Sequence, residues 1–302
     1  MKKETIIAYL KNPMRAFIKL GGWGFFNWMS DETYLKIAFR SLMGKKLNLK
    51  NPQTFNEKLQ WLKLHDRKPI YTTMVDKYEA KKYVAGIIGE QYIIPTFGVW
   101  DKFEDIDFDK LPNQFVLKCT HDSGGLVICR DKSKFDVQAA RKKITRSLKR
   151  NYFWQGREWP YKDVKPRIIA EKYMEDASTN DLKDYKFFCF NGVPKFLYIS
   201  EGLENHDTAR ISFLTLDWQF APFYRQDYQP FKTLPKKPSC YEQMLQICRK
   251  LAAGHTFLRV DLYEINKRVY LSELTFHPCS GMMPLSEIKQ DIQMGNFLTL
   301  PI

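Results

Sequence analysis

Along residues 30–42, apolar side chains fall at Tyr34, Leu35, Ala38, Phe39 and Leu42, the three-and-four spacing that gathers one stripe on a helix. Ser30 precedes the stripe as a cap, and Asp31 and Glu32 place negative charge in the first turn, where the helix dipole favours it. A second helix is predicted from Thr54, because Thr54-Phe55-Asn56-Glu57 has the reciprocal spacing of a capping box. A third, capped by Thr72 or Thr73, is predicted through Val75, Tyr78, Glu79 and Tyr83 towards Gly86 and Gly89. The pattern then turns β-branched and aromatic over 92–100, 115–119 and 126–130, which predicts strands. A helix over 137–150 follows, and strand-like runs return at 167–173, 185–190, 194–200 and 210–216. Asn191-Gly192 between two of these runs predicts a tight hairpin. A helix over 241–253 precedes a last hairpin, 257–265 with 269–276. Helices first and antiparallel hairpins later predict an α+β protein.

The 302 residues suffice for two or three lobes, and no repeat or long linker separates them. Lys and Arg number 48 against 34 acids, so the net charge of +14 should attract anions such as nucleotides, lipid headgroups or uronic-acid polymers. The basic residues are scattered, without zinc-finger spacing or a basic zipper, and no nucleic-acid partner is expected. The six cysteines are isolated and form no CxxC pair; with no secretory leader in view, the expectation is a reducing cytoplasm and free thiols. No apolar run approaches the ~20 residues that cross a bilayer. Residues 1–29 nevertheless combine Lys2, Lys3, Lys11, Arg15 and Lys19 with Ile6, Ile7, Leu10, Met14, Phe17 and Ile18, followed by Trp23, Phe25, Phe26 and Trp28. That pattern suits a helix lying on the inner face of a membrane, and equally a helix packed on the body through the same stripe.

Two segments carry candidate chemistry. Residues 115–128 read as strand, small-residue loop and strand, with Lys118 at the end of the first strand and His121-Asp122-Ser123-Gly124-Gly125 in the loop. Glycines admit phosphate oxygens close to backbone N–H groups and a lysine adds charge, although a Ser-Gly-Gly hairpin turn has the same composition. The loop is no Walker A motif, since no Gly-Lys-Ser/Thr is present and a strand follows it. In the last hairpin, a three-residue turn of Asn266, Lys267 and Arg268 would set Asp261 opposite Glu273 and Arg259 opposite Thr275. Facing carboxylates repel unless a cation lies between them, and magnesium bridging phosphates suits hard oxygen ligands. A two-residue turn would put the acids on opposite faces, and an exposed hairpin of alternating charges is the alternative.

Six segments in order resemble the TupA-like branch of the ATP-grasp superfamily, named for teichuronopeptide biosynthesis and found in polysaccharide gene clusters. They are Asn51-Pro52-Gln53-Thr54-Phe55-Asn56-Glu57-Lys58, Val75-Asp76-Lys77-Tyr78, Phe115-Val116-Leu117-Lys118-Cys119, Ile169-Ala170-Glu171-Lys172-Tyr173, Asp184-Tyr185-Lys186-Phe187-Phe188-Cys189-Phe190-Asn191-Gly192 and Arg259-Val260-Asp261. With residues 1–29 as the basic segment and 30–95 as a helical region, the resemblance implies two α+β lobes at 96–173 and 174–302 that clamp ATP. It implies that Lys77 and Lys118 reach phosphates beneath a lid of His121, Ser123, Gly124 and Gly125. Glu171, Lys172, Tyr173 and Met174 look like the hinge that reads adenine, and Asp184 like the ribose acid. Lys186 resembles the cation at the γ-phosphate or acyl phosphate, Arg259 the stabiliser of transition-state charge, and Asp261 and Glu273 the magnesium ligands. Thr275 stands where the superfamily usually has Asn, and its hydroxyl is the weaker ligand.

Such enzymes activate a carboxylate with ATP and join it to an amine. The implied substrates are an acidic sugar, such as a uronic acid of a capsule or O-antigen unit, and an amino acid or amino sugar. His121 and His277 are candidates to take the proton of the amine, or are packing histidines; His206 and Arg210 lie in a polar segment facing an acidic sugar on this reading. A polysaccharide-cluster glycosyltransferase and a non-catalytic ATP-binding adaptor are the rivals, the former having only Asp105-Ile106-Asp107 as a metal-motif spacing.

Overall fold

Two antiparallel sheets organise the chain, and the computed structural model describes residues 13–176, 182–202 and 209–301 of it. The first sheet contains β1 (Thr96–Trp100), β2 (Phe115–Cys119), β3 (Leu126–Cys129) and β4 (Ile168–Lys172) in the order β1-β4-β2-β3. The second contains β5 (Asp184–Phe190), β6 (Val193–Glu201), β7 (Arg210–Thr215), β8 (Phe257–Ile265) and β9 (Arg268–Thr275) in the order β7-β6-β5-β8-β9. Helices are α1 (Pro13–Gly22), α2 (Asp31–Met43), α3 (Phe55–His65), α4 (Ile70–Val75), α5 (Glu79–Ile88), α6 (Val137–Leu148), α7 (Phe153–Gly156), α8 (Tyr241–Ala252) and α9 (Ile288–Asn296). Predicted α+β architecture and observed elements agree.

Every residue of the central strand β5 is buried, because both faces of its sheet are covered. Phe187 and Cys189 pack with Met74 of α4, Val84 of α5 and Met244 and Cys248 of α8. Phe188 and Phe190 point the other way, as strand alternation requires, and meet Phe55 and Leu59 of α3 and Met294 of α9. Phe55 lies edge-on to Phe257 at 5.1 Å between ring centres, an arrangement that adds to burial worth about 1.5–3 kcal/mol per large side chain. In the first sheet, Phe115, Leu117, Ile168 and Ala170 bury against Ala140 and Ile144 of α6. Lys118 and Glu171 face the opposite side and are left for other work.

The helix caps follow the predicted chemistry. The Ser30 hydroxyl accepts from the Thr33 amide at 3.3 Å, and Thr54 and Glu57 complete their reciprocal box at 3.2 and 3.1 Å. The third predicted helix is two. Asp76 ends α4, and its Oδ1 accepts from the amides of Tyr78 and Glu79 to start α5, so this carboxylate replaces Thr72 or Thr73 as the cap. The strand expected from residue 92 begins only at Thr96, after a 3-10 turn at Glu90–Tyr92. Helix α9 escaped prediction because its buried face includes Gln290 and Asp291, which bond the amides of Tyr224 and Asn56 at 3.0 and 2.9 Å.

Helix α1 packs on the body: Phe17 stacks on Phe26 at 4.5 Å and tilts against Tyr34 at 5.0 Å. Buried Arg157 ties this region down, donating to the Phe26 carbonyl at 2.7 Å and lying 4.4 Å from the Trp154 ring centre. Trp23, Phe25 and Trp28 stay exposed. Lys2, Lys3, Lys11 and His206 lie outside the described residues.

Candidate active site

The β8–β9 hairpin turns through two residues, Asn266 and Lys267, both left-handed at φ 51° and 60°. The three-residue turn is therefore corrected, since Arg268 already pairs with Ile265. In a regular ladder this turn would set Ser272 opposite Asp261. A bulge between Asp261 and Leu262 absorbs Ser272 as an extra residue, and beyond it Glu273 stands opposite Asp261 and Thr275 opposite Arg259. The expected pairing is present for a different reason: turn and bulge compensate.

Arg259 gathers these groups. Its Nε and Nη2 donate to the two oxygens of Asp261 at 2.7 and 2.6 Å, and Nη2 also reaches Glu273 Oε1 at 3.1 Å and Thr275 Oγ1 at 3.0 Å. Lys186, directly across from Asp261 on β5, donates to it at 2.8 Å and also bonds Asp184. Burial pushes the Asp261 carboxyl up, but Arg259 and Lys186 outweigh it and hold the group below its usual range. Asp184 moves the other way, raised by burial against the pull of Lys186, with Asp261 adding repulsion. One lysine thus stands between two acids of opposite tendency.

A cavity of about 370 Å³ opens between the sheets. Lys77, Lys118, Ser123, Gly124, Gly125, Glu171, Asp184, Lys186 and Glu273 all line it. Lys118 pairs with Glu171 at 2.6 Å, diagonally across β2 and β4. Lys81 pairs with the other oxygen of Glu171, also at 2.6 Å. Burial alone would raise the Glu171 carboxyl, yet Lys118 and Lys81 keep it below its usual range. Lys77 Nζ donates to the Asp122 carbonyl, which fastens α5 to the glycine loop. A Cβ at Gly125 would lie 2.6 Å from the Ser147 hydroxyl and 2.8 Å from Asp122, so no side chain fits there. Lys172, Tyr173 and Met174 flank an adjoining cavity of about 200 Å³ that shares Lys118, Glu171 and Tyr263 with the first.

His121 is not brought into either cavity. Its Nε2 meets the carbonyls of Ser147 and Arg150 at 3.2 and 3.0 Å, beyond the last turn of α6, and the side chain is buried there. The acidic spacing at Asp105 and Asp107 is a surface turn, with Asp107 capping it and pairing with Lys110 at 3.0 Å. Lys81 was missed, although it lies four residues after Lys77, within reach of the same cavity.

Behind Arg259, Glu273 and Thr275 lies another cavity, of about 380 Å³, also lined by Tyr152, Glu158 and His277. Its far wall, the segment from His277 to Met283, is held by α3. Gln60 donates to the Gly281 carbonyl at 2.6 Å, Lys63 to the Ser280 and Gly156 carbonyls at 2.8 and 2.7 Å, and Asn56 bonds both backbone groups of Met283 at 3.0 and 2.7 Å. Burial drives the His277 ring well below its ordinary pKa, with Lys63 adding to the shift, and its Nδ1 has no hydrogen-bond partner.

A family model described as TupA-like ATPgrasp matches residues 57–299, which include all of these lining groups except those on α1 and α2. The chain belongs to the TupA-like ATP-grasp family. Among solved structures, this TupA-like chain is similar to D-alanine–D-alanine ligase from Helicobacter pylori, at 15% identity and a TM-score of 0.47, over 81% of this chain and 69% of that one. The Bacillus anthracis ligase complexed with ATP gives 16% and 0.42, over 74% and 61%, so the chain spans about three-fifths of that protein. Phosphoribosylamine–glycine ligase from Thermotoga maritima gives 15% and 0.39, over 68% and 48%. No curated protein sequence matches the TupA-like chain.

Proposed function

We propose that the protein is an ATP- and magnesium-dependent carboxylate–amine ligase that amidates an acidic sugar, such as a uronic acid, in surface-polysaccharide synthesis. The observation that carries this reading is one cavity wall shared by Lys77, Lys118 and Lys186 on the nucleotide side and by Glu273 on both sides. Residues 96–173 and 174–302 act as the two jaws. Lys77 and Lys118 neutralise the phosphates beneath Ser123, Gly124 and Gly125, while Glu171 orders Lys118 and Lys81. Lys172, Tyr173 and Met174 border the base, and Asp184 the ribose. Glu273 and Thr275 present hard oxygens that suit magnesium, whereas Asp261 is fully buried with both oxygens held by Arg259 and Lys186 and lines neither cavity, so it would join them only if Arg259 gave up its bonds. Bound there, the ion would neutralise phosphate charge.

In the first half-reaction a carboxylate oxygen attacks the γ-phosphorus, the bond to ADP breaks and ADP leaves. Arg259 and Lys186 stabilise the charge on the moving phosphoryl group. The amine nitrogen then attacks the acyl carbon, phosphate departs, and His277, kept neutral by burial, is the candidate to accept the proton. Purified protein with Mg-ATP, glucuronate or galacturonate derivatives and a pool of amino acids should release ADP and phosphate only when acid and amine are both present. Lys118→Ala should lower that rate about 100-fold or more. ATP binding without turnover under every pairing would favour the non-catalytic adaptor instead.

A further inference from the structure

We infer that the cavity behind the Arg259, Glu273 and Thr275 wall seats the amine substrate, and that Glu158 receives its ammonium group. The inference rests on the ligase reading and adds a residue, a place and a charge to it. Glu158 is only 4% exposed, yet it lines this cavity. Its nearest basic atom is His277 Nδ1 at 3.8 Å, and that atom has no hydrogen-bond partner of its own. Lys63, the other buried cation nearby, directs its ammonium group to the carbonyls of Gly156 and Ser280. A carboxylate so enclosed without a contacting cation costs several kcal/mol of desolvation. Burial accordingly pushes its pKa up, with Lys63, a hydrogen bond from Ser280 and the charge of Arg259 opposing the shift without reversing it. An incoming ammonium supplies the missing partner.

The charge inventory selects the same class of ligand. Asp122, Glu158 and Glu273 line the cavity against one cation, Arg259, whose guanidinium is already spent on Asp261, Glu273 and Thr275. An anionic sugar acid is repelled from this end and belongs beside the lysines of the first cavity. A small primary amine, amino acid or amino sugar, is drawn in, and its nitrogen lies on the far side of Glu273 from the phosphates. Tyr152 and Tyr161 supply aromatic wall for the body of such a molecule.

Calorimetry on the full chain saturated with Mg-ADP tests this with two matched pairs, glucosamine against N-acetylglucosamine and alanine against N-acetylalanine, at pH 7. At least one free amine should bind tenfold or more tightly than its acetylated form, and Glu158→Gln should abolish that preference. Equal or absent binding in both pairs of the wild-type chain overturns the inference, as does a Glu158→Gln protein that holds Mg-ADP and keeps the preference. If the variant loses Mg-ADP through misfolding, the wild-type comparison still decides. Failure of the wild-type chain to bind Mg-ADP strikes the ligase reading itself.

Discussion

Arg259 Nη2 touches three oxygens from three different side chains, and no single pair among them explains its position. Asp261, Glu273 and Arg259 were legible in the sequence because strand alternation and charge alone make facing acids conspicuous. Lys63 and Glu158 were not, since a lysine in α3 and a glutamate beside α7 read as surface residues until the chain folds them inward. His255 illustrates a residue whose environment has a measurable consequence. It lies beside the packed rings of Tyr71 and Phe276, at 5.6 and 5.9 Å, and burial with help from Lys68 depresses its pKa below the ordinary value. The unfolded chain therefore binds a proton at about pH 6.5 that the folded chain refuses, so this contribution to stability is present above that pH and lost as pH falls. His255→Phe should lose less melting temperature between pH 7.5 and 5.5 than the wild-type protein does. Equal losses in thermal melts of the two proteins would refute this.

At the scale of elements, the hairpin that aligns Asp261 with Glu273 depends on two backbone features. Lys267 pays for its left-handed φ of 60°, a conformation costing roughly 1–2 kcal/mol in an L-residue that bears a Cβ. Lys267→Gly should therefore raise stability by about 0.5–1 kcal/mol after the greater chain entropy of glycine is deducted, and the melting temperature by about 1–1.5 °C. A lowered melting temperature in scanning calorimetry would show that the lysine side chain matters more than the turn. The turn length was open in the sequence because Asn266-Lys267 lacks the glycine that marks a two-residue turn, and Ser272 carries no mark of a bulge. The caps of α2 and α3 were legible because their bonds are local. The split between α4 and α5 was not, since Asp76 also answers Arg167, 91 positions away, at 2.8 Å.

Over the whole molecule, the net charge of +14 and the exposed aromatic turn at Trp23, Phe25 and Trp28 combine into a proposal for peripheral membrane contact. The inward stripe of α1 is already committed to the body, and no described helix is long and apolar enough to span a bilayer. The full chain should therefore co-sediment with anionic vesicles and not with neutral ones, and Trp23→Ser with Trp28→Ser should weaken that binding about tenfold. Vesicle binding unaffected by the double substitution would remove the aromatic turn from the account. The fold was legible at this scale from the order of helices and hairpins, whereas the second cavity was not, because its walls come from α1, α2, α7, β8 and β9. Helix α3 grips its far wall mainly through peptide carbonyls and amides of Met283, Gly281 and Ser280, with one side-chain contact, Lys63 to the Ser280 hydroxyl at 3.1 Å. Scaffold and selectivity are thereby partly uncoupled: descendants of this chain can exchange wall side chains such as that of Cys279, and with them the acceptor they accept, while Gly281, where a Cβ would lie 2.9 Å from Leu59, stays fixed with the frame beneath.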